Sequence, residues 1–400
     1  MSFKALPGFR DFYPAEMAIR RHVEGTWHAA ARAAGFEEID GPPLESLDLL
    51  KAKSGDAIVD EIYAFVDKGG RDVGLRPELT PTLGRMVASR AAALKKPTKW
   101  YSVPQLFRYQ RQQRGRLREH IQWNVDVIGS AEVAAEAEVV AVAIDALSRL
   151  GLTHEDIYVR AFDRQAAESA LDNLGIENKT GALQLIDRGK LDTDAADEVL
   201  GAKPAAALRE WFHADYTPEG SFAEFLEACN SYGLSEYVTV DKSIVRGLAY
   251  YTGTVFEIFD RGHKLRAVAG GGRYDTLVET LGGPPTPALG FGMGDVVIAE
   301  LLKDLGRLPD HPPRINTFVV PIGDEMLGAA REVVRRLRDA GDRAEAPYVA
   351  MKLNKAFKTA EQSGASRVVL VGPDEWAEHK VQVKVLESGH QESVSLDKLS

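Results

Sequence analysis

The sequence has few of the features that would place it in a special class of protein. Its 400 residues include one cysteine, Cys229, which excludes an intrachain disulfide and a cysteine-based zinc site. The N-terminal residues lack the apolar core of a signal peptide, and no run approaches the ~18 apolar residues of a membrane span. We therefore expect a cytoplasmic protein in a reducing compartment, without membrane contact.

Several motifs of well-defined chemistry are also absent. There is no GxxxxGK or GxGxxG, so a P-loop or Rossmann nucleotide site is unsupported, and no HExxH, GxSxG or kinase signature. The net charge of −10 argues against indiscriminate nucleic-acid binding. A nucleic-acid partner would therefore need local basic patches on an acidic body.

The most informative stretch lies at 100–129, where two strands flank a basic loop. We predict the first strand at 101–110 and the second at 120–128, where apolar and polar residues alternate. Five arginines and no acidic residue lie between positions 108 and 118. Arginine at this density indicates a bound polyanion. A solvated surface hairpin explains the same pattern equally well.

The domain organisation follows from a proline-rich linker at 308–314. We predict an α+β body at 1–312, interrupted by a helical insertion at about 163–235, where no strand pattern is evident. Residues 313–400 form a second module, with a βαβαβ pattern followed by a hairpin.

Four segments place polar residues or glycine where a plain core would not. They are LRPELT at 75–80, the hairpin with Arg108, Gln122 and Asp126, the strand region 244–257 with Arg246, and the glycine runs GGGRYD at 270–275 and GFGMGD at 290–295. Structural explanations stay open, because Thr80 could cap a helix and Arg246 could pair with Glu257 or Asp260.

This combination of residues suits a displacement reaction at a nucleotide phosphate. Fixed arginines stabilise the charge that develops on the phosphate oxygens. Carboxylates would hold an ammonium group, and tyrosines would hold a polar side chain. Glycines within strands would let a flat ligand lie close to the backbone.

These segments resemble the class II aminoacyl-tRNA synthetases, and specifically the histidyl-tRNA synthetases. FRYQRQQRGRLREHIQW resembles motif 2, FEEIDGPPLE resembles motif 1, and ALGFGMGDVVIAELL occupies the place of motif 3. RGLAYYTGTVFE and GGGRYDTLVETLGG are similar to the two histidyl signature peptides, and RPELT to the amino-acid-binding segment. The resemblance covers nearly the whole chain, and the insertion is its least specific part.

The resemblance implies both a fold and an activity. The fold would be a six-stranded antiparallel sheet flanked by helices, with a helical insertion, a C-terminal α/β anticodon-binding domain and a homodimer interface near motif 1. The activity would be ATP-dependent ligation of L-histidine to tRNA-His through a histidyl-adenylate, with Mg²⁺ at the triphosphate. The alternative is a non-catalytic paralogue that senses histidine as a regulatory subunit of ATP phosphoribosyltransferase. The module after residue 314 argues against it. A tRNA-binding sensor is a third possibility.

The resemblance also assigns roles to individual residues. Those expected to act in catalysis are Arg108, Arg246 and Gln122. Those expected at histidine are Glu78, Thr80, Gln122, Asp126, Arg246, Tyr250, Tyr251 and Tyr274. Those expected at ATP are Arg108, Gln110 and Arg116. The magnesium ligands stay unassigned, with Glu257 only a candidate.

Four positions depart from the family pattern. Gln110 replaces the motif 2 glutamate that contacts the adenine amino group, and an amide oxygen can still accept that hydrogen bond. Asp126 stands where glutamate is commoner, and Ala249 where aspartate is common. Val297 replaces the motif 3 arginine. The candidates for the lost γ-phosphate contact are Arg116, Arg266 and Arg273, and the loop arginines Arg111, Arg114 and Arg116 are expected to face the triphosphate and the tRNA acceptor end.

Overall fold

The computed structural model describes residues 3–54, 60–245, 251–310 and 312–399. The chain forms two compact units, 1–309 and 310–400, and the division falls within the proline-rich segment 308–314. Both units combine helices with sheets, as an α+β fold requires. No helix in the described ranges is long and apolar enough to cross a membrane.

In the first unit, strands and short runs of strands are separated by helices, except where five helices follow one another in the insertion. Its helices are α1 (Pro14–Ala33), α2 (Leu47–Ser54), α3 (Thr80–Arg90), α4 (Val133–Arg149), α5 (Arg164–Asn173), α6 (Lys179–Asp187), α7 (Asp194–Leu200), α8 (Ala202–His213), α9 (Gly220–Ser231), α10 (Leu277–Thr280) and α11 (Asp295–Asp304). Its strands are β1 (Glu37–Glu38), β2 (Leu44–Ser46), β3 (Ala64–Val66), β4 (Asp72–Leu75), β5 (Thr98–Ser102), β6 (Gln105–Phe107), β7 (Glu119–Ile128), β8 (Ile157–Asp163), β9 (Val238–Val240), β10 (Thr254–Asp260), β11 (Ala269–Arg273) and β12 (Ala288–Gly294).

The central sheet of this unit has nine strands within the described residues. Their order is β1-β5-β7-β12-β11-β10-β8-β9, and β6 pairs separately with β7. The six strands from β5 to β8 in this order are antiparallel to their neighbours, whereas the edge strands β1 and β9 pair in parallel. The family resemblance implied six antiparallel strands, whereas the described sheet has nine strands and includes two parallel pairings. A smaller sheet has the order β2-β4-β3.

The basic hairpin pairs β7 with two short strands. The prediction of one strand at 101–110 was wrong, because β5 ends at Ser102 and β6 begins only at Gln105. Pro104 lies in the gap, and proline has no N–H to donate to a strand ladder. Its carbonyl still accepts a hydrogen bond from the Gln122 N–H at 3.1 Å, which keeps the two strands together.

Strand β7 has the alternation that the sequence predicts. Ile121, Trp123, Val125 and Val127 are each at most 1% exposed and belong to the main core. The Trp123 ring stacks on Trp27 of α1, with centroids 6.1 Å apart, and meets Phe291 of β12 edge-on at 5.1 Å. One face of β7 is therefore fixed by apolar packing, which leaves the polar residues on the other face.

The glycine triplet lies within strand β11 rather than after a strand. The strand begins at Ala269, directly before the triplet, and continues to Arg273. A Cβ at Gly271 would lie 2.2 Å from the Gly290 carbonyl oxygen, and one at Gly272 would lie 2.7 Å from the Thr254 oxygen. These glycines allow the backbones to approach where a side chain has no room.

The insertion is helical, as predicted, and consists of α5 to α9 in its described structure. Its core is continuous with that of the main sheet, since Phe162 of β8 meets Phe222 of α9 edge-on at 5.9 Å. Helix α9 also packs along α4. The insertion is therefore part of the core of the first unit and not a separately packed appendage.

The second unit is a compact α/β module. Its elements are β13 (Thr317–Pro321), α12 (Leu327–Asp339), β14 (Ala344–Glu345), α13 (Leu353–Gln362), β15 (Arg367–Val371), α14 (Pro373–Ala377), β16 (Lys380–Val385) and β17 (Gln391–Ser395). The sheet order is β14-β13-β15-β16-β17, with the first three strands parallel and the last two forming an antiparallel hairpin. This agrees with the predicted βαβαβ pattern and hairpin.

Candidate active site

Two adjoining cavities lie over the polar face of β7 and the glycine-rich strands. The larger has a volume of about 630 Å³ and the smaller about 140 Å³. Both are lined by Arg108, Gly115, Arg116, Arg266, Gly294 and Val297. These six residues form a shared wall, and we use that name for them below.

Charge is divided unevenly between the two cavities. The larger cavity is lined by four carboxylates: Glu78, Asp126, Asp187 and Glu257. The smaller cavity has no carboxylate among the described residues that line it, but it shares the three arginines of the wall. A polyanion would therefore be stabilised along the shared wall, and an ammonium or an imidazole N–H in the larger cavity.

Two glycines of β12 make room for polar side chains of β7. A Cβ at Gly290 would lie 2.3 Å from Asp126 Oδ1, and one at Gly292 would lie 2.0 Å from Gln122 Nε2. Asp126 and Gln122 can lie across the neighbouring strand only because these positions have no side chain. The Tyr274 hydroxyl donates a hydrogen bond to Asp126 Oδ1, and both side chains are buried.

The corner between β4 and α3 contributes Glu78 and Thr80 to the larger cavity. Thr80 is the first residue of α3, and the capping position belongs to Leu79, without a side-chain cap. The helix-capping explanation for Thr80 was therefore wrong. Thr80 lines the larger cavity instead.

The shared wall begins at Arg108, just beyond β6. The Arg108 Nε donates to the Pro77 carbonyl at 3.0 Å, which ties this side chain to the turn that contains Glu78. Burial and the neighbouring Arg108 guanidinium lower the pKa of Arg116. Burial is the larger of these two causes, and a bound anion would favour the charged guanidinium against both of them.

The smaller cavity has an uncharged interior beyond the shared wall. Gln110, Leu117, His120 and Val296 complete its lining. Burial, together with the positive charges of Arg108 and Arg10, lowers the pKa of His120 to about 3, so its ring is neutral at physiological pH. This smaller cavity, called the slot below, therefore suits a neutral ligand group beyond the shared wall.

An ion pair between a buried carboxylate and a half-buried arginine supports the hairpin. Asp295, the first residue of α11, accepts a hydrogen bond from the Ile121 N–H at 2.9 Å and pairs with Arg10 Nη2 at 2.9 Å. Burial raises the pKa of Asp295, and the charge of Arg10 opposes that shift. This contact fixes α11, which carries Val296 and Val297, against β7.

Several other predicted residues line one of the two cavities. Gln122, Tyr251 and Tyr274 line the larger cavity, and Gln110 lines the smaller one. Arg246 and Tyr250 lie outside the described residues, so their roles stay predictions.

Two arginines do not lie where they were predicted. Arg114 does not face the cavities, because it pairs with Glu300 at 2.9 Å and Asp304 at 2.6 Å on α11. Arg273 was a candidate for the γ-phosphate, but its guanidinium is buried against Glu136 at 2.5 Å. Arg116 and Arg266 remain candidates for that contact.

Sequence reasoning missed several residues that line the larger cavity. Asn124 could have been found, since it lies on the polar face of β7 between Gln122 and Asp126. Gln184, Asp187 and Arg188 come from the end of α6 in the insertion. No local pattern marks these three residues, because their position depends on how the insertion packs.

No group of three or more metal-binding side chains occurs in the part of the chain that the structure describes. Glu257, the candidate magnesium ligand, lines the larger cavity. A divalent cation here would thus depend chiefly on ligands supplied by a bound phosphate chain, as magnesium commonly does.

Comparison with known proteins gives consistent matches along the chain. Residues 8–294 match the family model described as histidyl-tRNA synthetase, and residues 316–400 match the anticodon binding domain. The histidine–tRNA ligase of Opitutus terrae is 39% identical, covering 96% of this chain and 94% of its own. The chloroplastic/mitochondrial histidine–tRNA ligase of Arabidopsis thaliana is 38% identical, covering 98% and 85%. A crystal structure of histidyl-tRNA synthetase from Nostoc sp. PCC 7120 shares the fold, with a TM-score of 0.81, 24% identity and coverage of 99% and 98%.

Proposed function

Because the chain belongs to the histidyl-tRNA synthetase family, we propose that it is a histidine–tRNA ligase, which joins L-histidine to tRNA-His at the expense of ATP. The observation that carries the proposal is the division of charge at the site. Three arginines stand between a smaller cavity, whose described lining residues include no carboxylate, and a larger cavity lined by four. Adenine, triphosphate and histidine fit these three regions in that order.

In the first step, the histidine carboxylate attacks the α-phosphorus of ATP. A new C–O–P bond forms, the bond to the β-phosphate oxygen breaks, and pyrophosphate leaves. Arg108 is held by the Pro77 carbonyl before any ligand arrives, so it stabilises the charge on the α-phosphate without reorganising. We assign Arg246 to the same phosphate from the family resemblance alone.

The larger cavity would hold histidine by its two cationic or donor groups. Glu78, Thr80 and Gln122 would accept from the α-ammonium group. Asp126 would accept an imidazole N–H, with Tyr274 fixing the carboxylate through its own hydrogen bond. Tyr250 and Tyr251 would enclose the imidazole ring of histidine. Tyr251 is among the residues that line the larger cavity.

The triphosphate would follow the shared wall toward the smaller cavity. Arg116 and Arg266 flank this path, and Val297 at the motif 3 position offers no charge. Magnesium, bound mainly by phosphate oxygens, would add charge neutralisation near Glu257. Gln110 would accept from the adenine amino group.

In the second step, a hydroxyl of the 3′-terminal ribose of tRNA-His attacks the carbonyl carbon of histidyl-adenylate. The ester bond forms and AMP leaves. The module at 316–400, which matches the anticodon binding domain, supports tRNA as the partner. It also argues against a histidine-sensing regulatory subunit of ATP phosphoribosyltransferase, the alternative function.

We further propose that the protein is a homodimer, located in the cytoplasm. Large apolar side chains are exposed on the first unit, including Phe3 at 94%, Leu6 at 67% and Tyr13 at 68%. Val66 of β3 is 63% exposed. Exposed apolar side chains of this size are commonly covered by a subunit partner.

The direct test is histidine-dependent ATP–pyrophosphate exchange with the pure protein, Mg²⁺ and labelled pyrophosphate. We expect exchange that requires histidine and is not supported by other amino acids, followed by charging of tRNA-His. Exchange at background level would overturn the ligase assignment. Co-purification with a phosphoribosyltransferase, without tRNA charging, would favour the regulatory alternative.

A further inference from the structure

The side chain of Gln110 is held by a partner from outside the hairpin. Its Nε2 donates a hydrogen bond to Glu61 Oε2 at 2.5 Å, while Gln110 also lines the smaller cavity. Glu61 precedes β3 and is remote in sequence from the hairpin. The pair thus joins a separate segment of the chain to one wall of the slot.

The backbone of Glu61 is fixed independently of its side chain. The Tyr109 N–H donates to the Glu61 carbonyl oxygen at 2.8 Å. The Tyr63 and Tyr109 rings meet edge-on with centroids 5.3 Å apart, and the Arg118 guanidinium lies 4.1 Å from the Tyr109 ring centroid. Glu61 is therefore held beside Gln110 by contacts that a change of its carboxylate would leave in place.

The chemistry of the two side chains determines which way the amide points. An ionised carboxylate only accepts hydrogen bonds, so the amide must present its NH₂ group to Glu61. Its oxygen is then the group left to act as an acceptor. A glutamine without such a partner could rotate by half a turn and present a donor instead.

We propose that Glu61 is a positioning residue for nucleotide selection, acting through Gln110. It orients the Gln110 amide so that the slot offers an acceptor to a donor on the base edge. Adenine carries an amino group, a hydrogen-bond donor, at this position. A 6-oxo purine carries a carbonyl oxygen there instead, and the amide oxygen of Gln110 repels that acceptor. This inference rests on the proposed function, in which the slot holds the base of ATP.

The arrangement also explains the amide at position 110. A glutamate there would bring a second carboxylate to within about 2.5 Å of Glu61, and two carboxylates at that distance cannot both ionise. Glutamine at 110 and glutamate at 61 form a matched pair. Reversing both residues restores one carboxylate and one amide, with a carboxylate oxygen now available to the base.

The experiment compares ATP with inosine triphosphate, which has a carbonyl in place of the amino group. The variants are Glu61→Gln, Gln110→Glu and the double exchange. Asp60→Asn is the control, because it removes one carboxylate from the exposed neighbouring residue. For each protein, kcat and KM for both nucleotides are measured by pyrophosphate exchange, and their Kd values by calorimetry.

We expect Glu61→Gln to lower the preference for ATP over inosine triphosphate about tenfold, through KM and Kd with little change in kcat. Gln110→Glu should weaken ATP binding and make it pH-dependent, and the double exchange should recover the preference. Asp60→Asn should behave as wild type. An unchanged preference in Glu61→Gln, or a double exchange no better than either single variant, would overturn the inference.

Failure of the proposed function would give a different result. A wild-type protein that binds ATP but catalyses no exchange would refute the ligase assignment, and the Kd ratios would still decide the role of Glu61. A wild-type protein whose Kd does not distinguish the two nucleotides would overturn the inference itself. Equal melting temperatures among the variants would exclude misfolding as the cause.

Discussion

The two faces of strand β7 show how one short stretch serves both folding and binding. The odd-numbered residues from Ile121 to Val127 are packed into the core, with Trp123 stacked on Trp27. The even-numbered residues Gln122, Asn124 and Asp126 line the larger cavity. Side chains one position apart thus have different physical roles, because successive residues of a strand point to opposite faces.

The faces also differ in what lies across from them on β12. On the core face, Phe291 fills the space beside Trp123. On the cavity face, Gly290 and Gly292 leave the space that Asp126 and Gln122 occupy. The core face is stabilised by large side chains that fill the space between the strands, whereas the cavity face depends on glycines that leave space for polar side chains. Substitutions on the two faces should therefore change different measurements.

The largest effect on stability is expected from Trp123→Ala on the core face. It should lower the free energy of unfolding by about 3–5 kcal/mol, because a large, fully buried ring is replaced by a cavity. Denaturant unfolding measures this. Gln122→Ala, one residue away, is the matched variant, and it should reduce exchange while leaving unfolding nearly unchanged. Similar unfolding losses in both variants would contradict the division between faces.

On the cavity side, Arg108→Ala should give the largest loss of activity. We expect exchange to fall about 10²–10³-fold, the size typical of removing one fixed donor from a developing negative charge. The melting temperature should change little, since the guanidinium bonds only one carbonyl among the described residues. Arg149→Ala is the control, since Arg149 is exposed on α4 and is not among the residues that line either cavity. Equal losses in the two variants would remove Arg108 from its assigned role.

A smaller effect is expected from Asp126→Asn, which preserves shape and removes charge. Asparagine can still accept from the Tyr274 hydroxyl, but it binds an imidazole N–H less strongly than a carboxylate does. We expect the KM for histidine to rise about tenfold, with the KM for ATP unchanged. Asp145→Asn, on the exposed side of α4, controls for the loss of one negative charge. A rise in the KM for ATP alone would contradict the assignment of Asp126 to histidine binding.

At neutral pH the smallest effect is expected at His120, whose pKa is lowered to about 3 in the folded protein. The unfolded chain binds a proton near pH 6.5 and the folded protein does not, so this residue's contribution to stability is present above pH 6.5 and lost as the pH falls toward 3. His120→Gln should flatten the decline of the unfolding free energy with falling pH by at most about 1.4 kcal/mol per pH unit. Unfolding curves at pH 7, 6 and 5 test this, and parallel curves for both proteins would show that His120 titrates normally.

Several elements of the site could be predicted because their signals are local. The alternation of β7, the polar corner at Glu78 and Thr80 and the helical insertion are patterns of neighbouring residues, and the structure has all three. The prediction of a single strand at 101–110 was wrong. The aromatic residues of this stretch favour a strand, but Pro104 lies in a gap between two strands.

The arginines show what local sequence patterns do not predict, namely which partner each charged side chain meets. Nothing in the sequence distinguishes Arg266, which lines both cavities, from Arg273, which is buried against Glu136. Nor does it distinguish Arg116 at the shared wall from Arg114, paired with two carboxylates of α11. Each outcome depends on which distant carboxylate the folded chain brings near.

The sequence by itself determined the periodicity of the strands, the glycines that leave room beside them, and the set of residue types available for phosphate and amino-acid binding. Only the tertiary structure decided which of those residues meet. It divided the arginines between a shared wall and ion pairs, brought α6 of the insertion to the cavity, and set Glu61 against Gln110. The physical reason is that side-chain direction follows from neighbours along the chain, whereas the partner of a charge or an amide follows from packing between segments far apart in sequence.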